Sequence, residues 1–180
     1  MVKIIKYCLA FALLLAFAAP AFAQDDYPVF QIAPGYGNIG NKPLLALLGS
    51  PAGRHSGFTL DTDFNLSSKL GIELFTGYYN MGPNTQIYTN TFGGIVALRK
   101  NERITPFAVG GFGFGVLQQA SQFGILQGRS KAVRYGAGVD VPFHDSMALR
   151  FSATRIGFHF NHVWETGTNY SVGIVLNLSQ

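Results

Sequence analysis

The chain has 180 residues, with 13 Lys and Arg, 9 Asp and Glu, and one cysteine. Its charged fraction of 12% is about half of the roughly 25% usual in soluble domains, which argues against a surface covered by water. The net charge of +4 is too small to point to a nucleic-acid partner.

The first 23 residues read as a cleaved export signal. Lys3 and Lys6 make a basic start, "CLAFALLLAFAAP" is a short apolar core, and Ala21 and Ala23 are the small residues read at cleavage. The expected domains are therefore a signal over 1–23 and one β-barrel domain over 24–180. Cys8 lacks the small-residue context of a lipidated cysteine, so a lipoprotein is not expected. Its removal leaves a mature chain with neither a disulfide nor a thiolate metal site. Cleavage also takes Lys3 and Lys6, lowering the net charge from +4 to +2. Beyond the signal no run approaches the roughly 18 apolar residues of a spanning helix. For an exported chain this poor in charge, a closed β-barrel is the membrane solution, because lipid tolerates no unpaired sheet edge.

The segments then follow in chain order. A less regular strand is expected at about 29–38. In "GFTLDTDFNL", Phe58, Leu60, Phe64 and Leu66 alternate with Thr59, Asp61, Asp63 and Asn65, the period of two that separates the faces of a strand. "LGIELFTGYY" sets Leu70, Ile72, Leu74 and Tyr78 against Gly71, Glu73, Phe75 and Gly77. Two less regular stretches, about 87–99 and 103–117, come next. "KAVRYGAGVDV" puts Val133, Tyr135, Ala137, Val139 and Val141 opposite Arg134, Gly136, Gly138 and Asp140. "SMALRFSAT" puts Met147, Leu149, Phe151 and Ala153 opposite Ala148, Arg150, Ser152 and Thr154. "YSVGIVLNL" closes the set, with Tyr170, Val172, Ile174, Leu176 and Leu178 on one face.

The pattern predicts an all-β fold: an eight-stranded antiparallel up-and-down transmembrane β-barrel. Short turns at Ser67-Ser68, 100–102 and 142–145 alternate with longer loops at 39–55, 80–86, 118–130 and 157–168, as short periplasmic turns alternate with longer outward loops. A soluble sandwich or lipocalin-like barrel would show polar faces rich in Lys, Glu and Asp. Here those faces are mainly Gly, Ser and Thr, which suits the inside of a narrow barrel filled by its own side chains.

Through "ITPFAVGGFGFGV" at 104–116, "RYGAGVDVPFHDSMALRFSAT" at 134–154 and "YSVGIVLNL" at 170–178, the chain resembles the OmpA-like outer-membrane β-barrel family. The resemblance implies a Gram-negative outer-membrane location, contact with outer-membrane lipid, and handling by the barrel-insertion machinery during biogenesis. A protein or lipid partner at the outer loops is a further expectation. The chain runs on from Leu178 to Ser179-Gln180, where the family usually finishes on an aromatic residue.

Several signals invite chemical readings. "GGFGFG" at 110–115 lacks the following helix that a phosphate cradle requires, so its glycines are read as strand curvature. Asp61, Asp63 and Glu73 could suggest a glycosidase. Their inward alternation instead predicts a charge network in the lumen with Arg134, Asp140 and Arg150, since confined charges must be paired; a proton or ion path is the alternative. "FHFNHVWETG" at 158–167 falls in the last expected loop, with Trp164 as an interfacial anchor. A lipid A deacylase-like reading would use His159 as base with Glu165 as its partner, but no serine stands two residues on, at Asn161. No catalytic residue, cofactor or metal is therefore assigned. The expected function is a structural or surface-interaction role in the envelope, with a lipid-modifying enzyme or a narrow pore as alternatives. Leu44 to Leu48, between Pro43 and Gly49, are a candidate rim helix or interaction surface.

Overall fold

In the computed structural model, residues 27–40, 53–82, 84–99, 103–121, 124–160 and 163–179 are described. They form eight strands: β1 (Phe30–Gly40), β2 (Arg54–Asn65), β3 (Leu70–Gly82), β4 (Thr85–Ala97), β5 (Thr105–Ser121), β6 (Gly124–His144), β7 (Met147–Phe160) and β8 (Val163–Ser179). Each strand pairs with its sequence neighbour and β8 closes on β1, giving an antiparallel barrel in which no strand is left at an edge.

The period of two decides which side chains enter the barrel. Along β2 the burial pattern alternates almost without a break: Thr59, Asp61, Asp63 and Asn65 are buried, while Phe58 and Leu60 are exposed. The buried face of this molecule is thus its lumen. Its apolar face points outward, with Phe112, at 70% exposure, and Phe58, at 69%, among the most exposed side chains. In water such a surface would be a severe aggregation hazard; in a bilayer it is the solvated face.

A row of aromatic residues marks the upper border of this apolar belt. Tyr36, Phe58, Tyr78 and Tyr88 are direct cross-strand partners across β1 to β4, with ring centroids 6.3 Å apart for Tyr36–Phe58 and 5.0 Å for Tyr78–Tyr88. Two residues above the row, on the same outward face, stand Asn38, Ser56, Asn80 and Gln86. This change from aromatic to polar is the interfacial girdle expected where lipid meets the outer aqueous phase.

The strands run further than their sequence signal indicates, which corrects the expected loops. Residues 80–82 extend β3, 118–121 and 124–130 extend β5 and β6, and 157–160 and 163–168 belong to β7 and β8. Polar residues such as Gln118, Gln119 and Gln127 resemble loop composition, but above the membrane a hairpin has water on its outer face and needs no apolar stripe there. The β5–β6 ladder continues to Ser121↔Gly124, beyond the last β6–β7 pair, Lys131↔His159. Gly124, with φ of 128°, opens β6 in a conformation that a side chain would resist. The lower turn at 142–145 also shifts: β6 reaches His144, and Asp145-Ser146 make the turn. The proposed rim helix at 44–48, the turn at 100–102 and the signal at 1–23 lie outside the described residues.

Candidate functional site: the lumen and the outer rim

The lumen is filled in layers. Asp63 and Glu73 are direct cross-strand partners on β2 and β3, a like-charged pairing that destabilises a sheet unless a cation intervenes. Asp61 adds a third carboxylate to the same wall. The cations come from β6 and β7 on the facing wall. Arg134 donates from Nη1 to Glu73 Oε2 at 2.5 Å and from Nη2 to Asp61 Oδ1 at 3.0 Å. Arg150 grips Asp140 with two bonds, Nε to Oδ1 at 2.8 Å and Nη2 to Oδ2 at 2.9 Å, and reaches Asp63 Oδ2 with Nη1 at 2.8 Å. The planar fork of arginine suits this double task better than a lysine would. Each guanidinium also lies over a ring, Arg134 above Phe75 at 3.9 Å and Arg150 above Phe107 at 4.6 Å.

Toward the periplasmic end a polar cluster closes the barrel. Gln31 Nε2 donates to Asn177 Oδ1 at 2.7 Å, and Asn65 Nδ2 donates to Gln31 Oε1 at 3.1 Å. Arg99 donates to Asn65 Oδ1 and to the Ser68 carbonyl, both at 2.9 Å. Toward the outer end the lumen turns apolar: Ile39, Phe75, Tyr79, Met81, Ile87, Leu117, Ala132, Ile156 and Phe158 pack as one buried cluster. The eight-stranded cross-section leaves just enough width for such filling.

The six charged residues picked out by alternation, Asp61, Asp63, Glu73, Arg134, Asp140 and Arg150, are all buried in the lumen and bonded as above. Sequence reading missed the role of Arg99, which follows β4 and falls outside the alternating pattern. It also missed the apolar upper layer, whose Met81, Ile87 and Leu117 sit on the stretches taken for loops, or at their margins. Among the described residues no group of three His, Cys, Asp or Glu side chains is placed to hold a metal ion.

The residues of "FHFNHVWETG" divide between β7 and β8, with 161–162 outside the described residues. His159 is paired with Trp164, their rings 5.0 Å apart. Phe158 is the partner of Glu165, so alternation sends Glu165 and His159 to opposite faces. Ser152 is buried on β7 and shares a 2.6 Å hydrogen bond with Ser171, seven residues along the strand from His159. Trp164 is 49% exposed and stands six residues above Tyr170 on β8, about 20 Å along the strand.

A closed eight-stranded barrel with a lipid-facing belt, an aromatic border and a packed lumen defines a small outer-membrane barrel protein. The chain belongs to the outer membrane protein beta-barrel domain family, which matches residues 9–178, and its place is the bacterial outer membrane. Among solved structures, Neisserial surface protein A is similar with a TM-score of 0.68 at 10% identity, over 83% of this chain and 97% of that one. Ail, the attachment invasion locus protein of Yersinia pestis, is similar at 0.56 and 18% identity, over 82% and 97%. OprG from Pseudomonas aeruginosa is similar at 0.53 and 12% identity, over 84% and 96%. At these identities the likeness is one of fold. No curated protein matches the chain.

Proposed function

We propose that this barrel is a non-enzymatic envelope protein that acts through its outer surface rather than its lumen. The observation that carries the reading is the filling of the bore at every level, by the Gln31–Asn65–Arg99 cluster, the two arginine–carboxylate clusters and the apolar layer above them. Such a bore offers neither a conduit nor a pocket for a substrate. The long β5–β6 and β7–β8 hairpins, in contrast, stand above the aromatic border where a partner can reach them. His159 on the outer wall, with Ser152 buried and bonded elsewhere, does not form a nucleophile–base pair.

Lipid A mass spectra from expressing and non-expressing cells test the reading against a lipid-modifying enzyme. Identical acylation is expected; an acyl loss that disappears in His159→Ala would overturn it. Planar-bilayer recordings test it against a pore, with no conductance above background expected for the folded barrel.

A further inference from the structure

The charges on the outer wall are distributed unevenly. Among the described residues, the charged side chains that alternate outward above the middle of the belt are Arg54, Arg129, Lys131 and Arg155, all exposed and all basic. The acids are elsewhere. Asp61, Asp63, Glu73 and Asp140 are buried in the lumen, Glu165 alternates inward, and Asp145 is at the periplasmic turn. Arg54 is already engaged, 4.8 Å above the Tyr170 ring and donating to Asn38 Oδ1 at 3.4 Å. Arg129, Lys131 and Arg155 have no ion-pair or hydrogen-bond partner among the described residues.

These three lie on adjacent strands in register. Arg155 is the cross-strand partner of Tyr135, and Lys131 is the partner of His159. Arg155 thus stands beside the exposed Tyr135, with Lys131 four residues further up and Arg129 two beyond it. Arg155 and Lys131 are separated by about 13 Å along the strand, the reach of a headgroup rather than of a single ion. Level with Lys131 stands the His159–Trp164 ring pair, of which Trp164 is 49% exposed. On β1 to β4 the outward residues two above the row are the uncharged Asn38, Ser56, Asn80 and Gln86, and Arg54, four above Phe58, is the one basic side chain above the row there among the described residues. Three of the four outward basic side chains above the middle of the belt therefore share the β6–β7 wall, and the fourth, Arg54, is held by Tyr170 and Asn38.

We infer that Arg129, Lys131 and Arg155, with Trp164 beside Lys131, bind the phosphorylated sugar headgroup of a glycolipid in the outer leaflet. The guanidiniums would take phosphate oxygens through paired N–H donors, and the tryptophan would lie against a sugar ring. The inference rests on the outer-membrane location and is independent of the non-enzymatic role proposed above.

The test uses the full barrel in detergent micelles, titrated with bisphosphorylated lipid A and read by native mass spectrometry. The unmodified protein should retain the glycolipid, and enzymatic removal of both phosphates should abolish retention. Arg129→Gln/Lys131→Gln/Arg155→Gln should weaken binding on the order of a hundredfold, at about 1 kcal/mol per charge near an anionic lipid surface. Arg103→Gln, an exposed cation below β5, should leave binding unchanged. Heat-modifiable gel mobility keeps folding separate from binding: these exposed positions should leave it intact, and Lys131→Gln and Arg155→Gln alone should give intermediate losses. Equal binding of dephosphorylated lipid A, or unweakened binding by the folded triple variant, would overturn the assignment. So would equal affinity for the acyl-free phosphorylated disaccharide, which would make the patch a site for soluble anions.

Discussion

Arg134→Met removes the cation that joins β6 to the carboxylate wall of β2 and β3. Asp61 and Glu73 lose their donors at 3.0 and 2.5 Å and are left buried beside Asp63, the cross-strand partner of Glu73. Breaking a buried pair by removing one partner typically costs about 3–5 kcal/mol. The contact with Phe75 at 3.9 Å adds up to about 2 kcal/mol when desolvated, part of which the methionine thioether retains. The expected loss is therefore about 4 kcal/mol, read as the shift in equilibrium urea unfolding of the barrel in lipid vesicles, followed by gel mobility. Neutralising the stranded acids as well, in Arg134→Met/Asp61→Asn/Glu73→Gln, should recover most of it, because a buried ion pair replaced as a whole is often close to neutral. A single variant within about 1 kcal/mol of the unmodified protein, or a triple variant no better than the single, would refute the claim that this cluster holds the lumen together.

Three further outcomes follow from the same geometry. Phe151, in the middle of the outward belt and 45% exposed, should tolerate leucine, but Phe151→Arg should cost about 2–4 kcal/mol in vesicle unfolding, against almost nothing for Gln127→Arg above the girdle. A Cβ at Gly138 would run into the Phe107 ring that carries Arg150 and into the Phe151 carbonyl, whereas one at Gly110 meets nothing within 4 Å. Gly138→Ala should therefore lower stability by about 1–3 kcal/mol through overpacking while Gly110→Ala does not. Arg99→Ala should loosen the periplasmic closure by freeing Asn65 and the Ser68 carbonyl, seen as faster amide exchange at residues 65–70 with the rest of the barrel unchanged.

What the sequence made legible was whatever depends on the period of two. On β2, β3, β6 and β7 the lipid-facing and lumen-facing residues separate cleanly, so Asp61, Glu73, Arg134 and Arg150 could be placed inside before any pairing was known. Which guanidinium meets which carboxylate was not legible, because it depends on register around a closed sheet; Arg134 reaching Glu73 and Arg150 reaching Asp63 follow from the facing of β6–β7 and β2–β3 across the bore. Strand length was misread for a related reason. The alternation of apolar and polar residues is imposed by lipid and ends at the tyrosine row, while the backbone ladder continues into water through Gln127, Arg129 and Thr166. Trp164 was expected at headgroup depth from its type alone; it stands exposed on β8, six residues above Tyr170.

Selective labelling of engineered thiols tests the membrane placement most directly, because Cys8 lies in the segment expected to be cleaved and the remainder of the chain has no cysteine. Thr166 is exposed on β8 above the aromatic border, and Ser68 is exposed in the turn between β2 and β3. A membrane-impermeant maleimide applied to intact cells should label Thr166→Cys and should reach Ser68→Cys only after the outer membrane is opened. Labelling of Ser68→Cys alone in intact cells would invert the barrel, and recovery of both variants as soluble periplasmic protein would contradict a membrane barrel altogether.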